Sequence, residues 1–347
     1  LKNIKTLISS PLLIFKKNMF NESDHIFFTG GTGFFGKSIL RYLNADWKLN
    51  RPVPQVDILS RNPELFLNIN PEFRNIPWLN FIKGDIVSNL GLDGSVTYTH
   101  VLHAAANSEL GPTLTPKERF DVIVSGTRNV LNFAVKIKVK RFLMVSSGGV
   151  YGCMPKHFDK FPEEYNGIPN PLNSNNAYGI AKRTAEHLCA LYQSSYDIDI
   201  VIARCFSFVG QDLPLSAHYV IGNFIHDALW EKEILVKSDG TPVRSYLDQN
   251  DLAKWLLVLL KDSRAGRAYN VGSDRAITIT ELAKLIRDQI SPEKNVRILG
   301  EVNKNSERDR YVPDTSKIRK DFGLKTSLSL EASIENTVRE IIKCQEI

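Results

Sequence analysis

Cysteine is scarce and shows no pairing pattern. The 347-residue chain has four, Cys153, Cys189, Cys205 and Cys344, and none stands in a Cys-x-x-Cys pair. That argues against a disulfide framework or a zinc site and fits a reducing, cytoplasmic compartment. The seven histidines show no metal-ligand spacing, so no metal is expected, and His103 and His218 read as structural. No apolar run reaches the roughly 18 residues that span a membrane; the longest candidate, Trp255–Leu260, reads as part of a short buried helix. No internal repeat or low-complexity stretch is evident. Charge of one sign is not in large excess: 44 Lys and Arg against 38 Asp and Glu leave +6. This suits anionic nucleotide ligands and does not imply nucleic acid. Apolar content of 43% and charged content of 24% are those of an ordinary globular chain.

What is present is an alternation of strand-like and helix-like segments, which predicts an α/β fold around a parallel sheet. His25-Ile26-Phe27-Phe28-Thr29 reads as a buried strand. Gly30-Gly31-Thr32-Gly33-Phe34-Phe35-Gly36 follows, and then a helical stretch over 37–43. Strand, glycine turn and helix open a dinucleotide-binding unit in which Gly30, Gly33 and Gly36 permit the turn, close approach to a pyrophosphate and helix packing. The helix N-terminus adds amide donors. The next strand, 56–61, ends in Ser60-Arg61 where a site for the unphosphorylated cofactor usually has an acid on the ribose. Serine and arginine suit a 2′-phosphate, so the reading leans to NADP(H). Asp57 comes too early in the strand for that role. Further along, Tyr178 and Lys182 are four apart on a predicted helix, so phenol and ammonium share a face. A fixed cation beside a tyrosine favours phenolate and draws its pKa down from about 10.

Taken in order, these motifs resemble the extended short-chain dehydrogenase/reductase family, the NAD-dependent epimerase/dehydratase group acting on nucleotide sugars. The resemblance runs from about residue 24 to the C-terminus. Within it, 80–86 looks like the third strand, with Asp85 and Ile86 at the adenine edge. Residues 101–106 look like the fourth, whose Ala104, Ala105 and Ala106 let the backbone approach the cofactor. The fifth looks like 142–152. The resemblance implies a Rossmann doubly wound parallel sheet with a smaller C-terminal substrate lobe. On that basis residues 1–20 form an N-terminal helical arm, 21–203 and 240–273 the NAD(P)-binding domain, and 204–239 and 274–347 the lobe. It further implies Ser147 beside the catalytic Tyr178, Lys182 on the nicotinamide ribose, NAD(P)(H) as cofactor and a nucleotide-diphosphate sugar as substrate. A homodimer through the helices carrying Phe120, Ile123, Val124, Thr127, Leu131, Ala134 and Ala181, Ala185, Leu188, Tyr192 also follows from the family.

The positions after the serine separate chemistries. Family 4,6-dehydratases place an Asp and a Glu there, and related decarboxylases keep the Glu, because elimination needs an acid and a base. This chain has Gly148 and Gly149. Two reactions remain open: 4-epimerisation, and reduction of a 4-keto sugar. A 4,6-dehydratase drawing on Glu163 or Glu164, both expected in solvent, and a non-catalytic NAD(P)-binding regulator are the alternatives. Ile123 stands where the family often has an asparagine that arranges a proton-relay water. In the lobe, the 204–210 segment looks like an Arg-x-Phe-Asn turn at the diphosphate, with Ser207 for the asparagine. Arg244 and Arg310 look like phosphate contacts, and Asn223 either meets the substrate or caps the following helix. Thr278-x-x-Glu281 is a capping-box signature. Residues 1–17 carry four lysines and no acid and read as a docked surface arm, with a membrane-surface arm or a presequence as the alternatives.

Overall fold

An apolar strand with no polar face must be covered on both sides, and β1 (His25–Thr29) is buried along almost all its length. The computed structural model describes residues 19–88, 90, 92, 96–106, 113–215, 219–301 and 309–345. Residues 1–18 of the expected arm, and His218, lie outside them. After β1 come α1 (Phe34–Lys48), β2 (Gln55–Ser60), α2 (Pro63–Ile69), β3 (Leu79–Lys83) and β4 (His100–His103). The chain continues with α3 (Pro116–Lys136), β5 (Arg141–Ser147), α4 (Ala177–Ser195) and β6 (Asp199–Cys205). Next are β7 (Phe208–Val209), α5 (Val220–Trp230), β8 (Glu233–Val236), β9 (Val243–Arg244), β10 (Leu247–Asp248), α6 (Gln249–Asp262) and β11 (Arg267–Val271). The last elements are β12 (Ile277–Thr278), α7 (Ile279–Ile290), β13 (Asn295–Ile298), β14 (Arg310–Tyr311), α8 (Ser316–Phe322) and α9 (Leu330–Gln345).

Seven strands form one sheet in the order β11-β6-β5-β4-β1-β2-β3, every neighbouring pair parallel. This is the parallel sheet the alternation predicts, in the doubly wound Rossmann order the resemblance implies, with one strand added beyond β6. The order reverses between β1 and β4, and such sheets bind ligands at the carboxyl ends of the strands there. One apolar core lies under α1 and α6, around Ile26, Phe28, Ile39, Leu40, Trp255 and Leu256. The opposite face is covered by α3 and α4, around Phe27, Val101, Leu131, Phe142 and Ala185. The smaller part is built from short strand pairs, β10 with β7 and β13 with β8, and a three-stranded set β12-β9-β14. α5 packs on α7 and β8.

Local sequence explains the helix starts. Thr278 and Glu281 make both bonds of the predicted capping box before α7. Thr115 and Glu118 do the same before α3, with Pro116 in the first turn. His103 is structural, as read: it is buried, with Nδ1 2.7 Å from Thr29 Oγ1 and Nε2 3.1 Å from Thr127 Oγ1. Burial pushes its pKa down to about 3.

One buried ion pair sets the seating of α4. Glu186 accepts from Arg204 Nη2 at 2.8 Å and Nε at 3.1 Å, and from Ser146 Oγ at 2.6 Å. Arg204 also donates to Tyr151 Oη and to the Glu163 carbonyl, each at 3.0 Å. The helix is thus tied to β5, β6 and the loop beyond β5. Removing one partner leaves an uncompensated buried charge, so Arg204→Met should lower unfolding stability by about 3–5 kcal/mol. Adding Glu186→Leu should recover much of that loss, as read by urea denaturation.

Candidate active site

At the carboxyl ends of β1, β4, β5 and β6 lies a cavity of about 660 Å³. Eleven residues singled out from the sequence line it. Gly30, Gly33, Phe34 and Phe35 come from the glycine loop and the start of α1, and Ala104 and Ala106 from the end of β4. Ser147 ends β5, Tyr178 and Lys182 come from α4, and Ser207 and Arg244 from the lobe side. Gly30 has φ +82°, and a Cβ there would stand 2.7 Å from the Ala104 carbonyl carbon and the Ala105 nitrogen. Only glycine lets the loop lie this close to β4. Gly33 is the N-cap of α1 and makes no side-chain cap bond. The first-turn amides therefore face the cavity without a side-chain acceptor, the arrangement that suits a pyrophosphate. These features fit a nicotinamide dinucleotide.

Other sequence candidates lie outside the lining. Thr32, Gly36 and Ala105 stand next to residues that form it. Ser60 is buried at the end of β2 and accepts from the Asn62 amide at 3.3 Å, and Arg61 beside it is exposed. No carboxylate ends β2. Asp57 is buried and bonded to Tyr98 Oη at 2.6 Å, with His25 at 3.2 Å. Asp85 accepts from the Val87 amide at 2.8 Å, while Ile86 is buried and its carbonyl accepts from Asn129 Nδ2 at 2.9 Å. That fastens the end of β3 to α3. Asn223 lies inside the first turn of α5, whose N-cap is Tyr219, so it does not cap the helix. Arg310 Nε donates to the Asp159 carbonyl at 2.6 Å.

One expectation is corrected. Glu163 is not solvated: it is buried, accepts from the Asn270 amide at 2.9 Å, and is raised by burial. With Glu164, which is exposed as expected, it lines a separate cavity that does not include Tyr178. The Tyr178 phenol is half-buried. Burial pushes Tyr178 up to about 12, and the cation acting against this is Arg119, together with the Ser147 hydroxyl. Lys182 is buried on the same helix. Its Nζ donates to the Val145 carbonyl at 2.8 Å, and burial lowers it to about 8, opposed in part by Glu186.

Sequence reasoning missed three residues. Arg119, in the first turn of α3, lines the cavity with its guanidinium carbon 6.0 Å from the centre of the Tyr178 ring. No local signal points to it. Tyr311 Oη lies 3.3 Å from Ser147 Oγ, and Phe206 packs on Tyr311 with ring centres 4.6 Å apart. Strand alternation could have found Tyr311, because in β14 it faces opposite to its neighbour Arg310. A Cβ on Gly148 would meet the Phe206 ring at 2.7 Å and Tyr311 Oη at 2.8 Å, whereas one on Gly149 would come no closer than 3.4 Å to Ser147 Oγ.

The model of the NAD dependent epimerase/dehydratase family matches residues 26–272. The chain belongs to that family. It is 29% identical over 314 residues to UDP-glucuronic acid decarboxylase 2 of Arabidopsis thaliana, covering 90% of this chain and 67% of the relative. It is 28% identical to UDP-glucuronic acid decarboxylase 1 of Danio rerio, covering 92% and 72%. Among solved structures, a dTDP-glucose 4,6-dehydratase from Streptomyces venezuelae superposes with TM-score 0.78 at 24% identity, covering 93% of this chain and 98% of that one. A UDP-glucose 4-epimerase from Thermotoga maritima gives 0.76 at 22% identity, covering 92% and 99%. These superpositions establish the shared fold.

Gly148→Ala forces Phe206 or Tyr311 to move and should cost about 1–3 kcal/mol; Gly149→Ala should change urea-unfolding stability by less than about 0.5 kcal/mol. Lys182 titrates near 8 when folded against 10.5 when free. Between these values the unfolded chain binds the extra proton, so stability rises with pH across that window. Unfolding at pH 7 and pH 10 should show the wild type gaining relative to Lys182→Met.

Proposed function

We propose that the chain transfers hydride at one carbon, C4, of a nucleotide-diphosphate sugar, as a 4-epimerase or a 4-ketoreductase. The observation that carries this reading is what surrounds Ser147. Gly148 and Gly149 offer no acid or base, and Phe206 and Tyr311 fill the space a side chain at 148 would need. Among the described residues lining the cavity there is no Asp or Glu. Proton movement therefore falls to hydroxyl groups, with Tyr178 as the carrier.

A bound nicotinamide supplies the hydride acceptor or donor. Tyr178 exchanges a proton with the C4 oxygen, and Ser147 orients the same oxygen. To act as a base the phenol must come down from about 12. Arg119 works in that direction, and the positive charge of an oxidised nicotinamide adds to it. Lys182 holds the ribose. Arg244, paired with Asp309 Oδ2 at 2.8 Å, and Ser207 are the lobe contacts best placed for the diphosphate and sugar; Asn223 and Arg310 stand farther out. The family match and solved neighbours such as the UDP-glucuronic acid 4-epimerase of Bacillus cereus, in complex with NAD, support NAD(H). Ser60-Arg61 with no carboxylate ending β2 supports NADP(H). Half-buried Leu188 and Tyr192 on α4 suit a homodimer through α3 and α4.

The names of the sequence relatives favour a second reading, oxidation of a nucleotide uronic acid at C4 followed by loss of carbon dioxide. A 4-keto uronate is a β-keto acid, so its carboxylate is a leaving group once C4 is oxidised. The missing carboxylate at 149 leaves reprotonation of C5 without an evident donor.

The test uses purified protein with NAD+ and UDP-glucose or UDP-glucuronic acid, and with NADPH and a UDP-4-keto sugar. Inversion at C4, or reduction of a 4-keto sugar, is the expected outcome. Tyr178→Phe should slow turnover at least about 100-fold with cofactor still bound, and full activity in that variant would overturn the mechanism. A 4-keto-6-deoxy sugar would show a dehydratase, and a pentose a decarboxylase. Tightly held NAD+ released on denaturation would favour the epimerase; an empty protein preferring NADPH would favour the reductase.

A further inference from the structure

Ser147 has an unusual set of partners. Its Oγ accepts from the Gly149 amide at 3.1 Å. Tyr311 Oη lies 3.3 Å from it on another side, and the same phenol is 3.3 Å from the Cys205 carbonyl. Tyr311 arrives from β14, which the sheet set β12-β9-β14 holds in place. Tyr311 is paired in register with Arg244 in β9. The ring is wedged against Phe206 above Gly148. Meanwhile Ile123, where a relay asparagine was looked for, is buried in the core and offers no polar group.

A carbonyl only accepts hydrogen bonds, and a hydroxyl does both. Two settings of the Ser147–Tyr311 pair are therefore available without moving a heavy atom. In one, Tyr311 donates to the Cys205 carbonyl and Ser147 donates to Tyr311. In the other, Tyr311 donates to Ser147 and frees the serine hydrogen for a substrate oxygen.

We propose that Tyr311 is a positioning residue that holds the Ser147 hydroxyl and reverses the direction of its hydrogen bond as the substrate oxygen changes between alcohol and carbonyl. This rests on the hydride-transfer reading above. An alcohol oxygen both donates and accepts, so Ser147 can keep its hydrogen on Tyr311. A carbonyl oxygen needs a donor, and the second setting supplies it. Only hydroxyl rotations are involved: no bond between heavy atoms forms or breaks, and the substrate proton still passes through Tyr178. Burial and the neighbouring Tyr178 keep the Tyr311 phenol above its ordinary range, so it stays a hydroxyl and does not compete as a base.

The experiment is a double-mutant cycle on the full chain: wild type, Ser147→Ala, Tyr311→Phe and the double variant. Each is assayed with NAD+ and UDP-glucose or UDP-glucuronic acid, and each is unfolded in urea. Tyr311→Phe should lower kcat about tenfold while KM for the nucleotide sugar stays within about twofold, the pattern of an interaction used during chemistry. In the Ser147→Ala background the same change should cost less than about twofold, because the two hydroxyls act as one unit. Equal losses in both backgrounds, or none in the wild type, would overturn the proposal. If the wild type binds NADH yet turns over neither sugar, and reduces no UDP-4-keto sugar with NADPH, the hydride-transfer reading has failed instead. The unfolding cycle then judges the contact alone, and additive stabilities would overturn it.

Discussion

The seating of α4 on the sheet depends on a carboxylate and a guanidinium largely withdrawn from water. Glu186 sits two helical turns beyond Tyr178 and one beyond Lys182, on the same face. By gripping Arg204 in β6 and Ser146 in β5 it fixes both the rotation and the height of that face. A slip of one residue would turn the helix by about 100° and carry the tyrosine out of the cavity. Burying two charges is costly, and a well-packed apolar pair is often as stable. What the ion pair adds is direction: its geometry admits one orientation of the helix, where leucines would tolerate several.

The parts of the site that could be read from the sequence are those whose geometry is local. The glycine loop is one turn between a strand and a helix. Tyr178 and Lys182 need only helical spacing, and Ser147 ends a strand marked by its apolar run. The rest is assembled across long distances in the chain. Tyr311 reaches a serine 164 positions away, and Arg119 meets Tyr178 only because α3 and α4 pack side by side. The surroundings of the phenol are non-local too. Helical spacing places Lys182 one turn from Tyr178, while the tertiary structure half-buries the phenol, buries the lysine and gives its ammonium the Val145 carbonyl as partner.

Gly148 and Gly149 look alike in the sequence and differ in the structure. The first is a steric necessity, because aromatic rings occupy the volume a side chain would take. The second stands in ordinary space and could carry one. The absence of acid and base beside Ser147 therefore has two origins: one position cannot accept a side chain without rearrangement, while the other merely lacks one. An acid at 149 alone would restore half of the elimination machinery, and the aromatic wall would still close the other half.

The uncapped start of α1 has a consequence for the life of the protein. Four amides at a helix N-terminus normally find an acceptor, and Gly33 brings none. Whatever anion settles there completes the helix as well as occupying the cavity. Part of its binding free energy is thus folding free energy, and the ligand serves as a detachable segment of the fold. The stability of the native state then rises with the supply of that ligand.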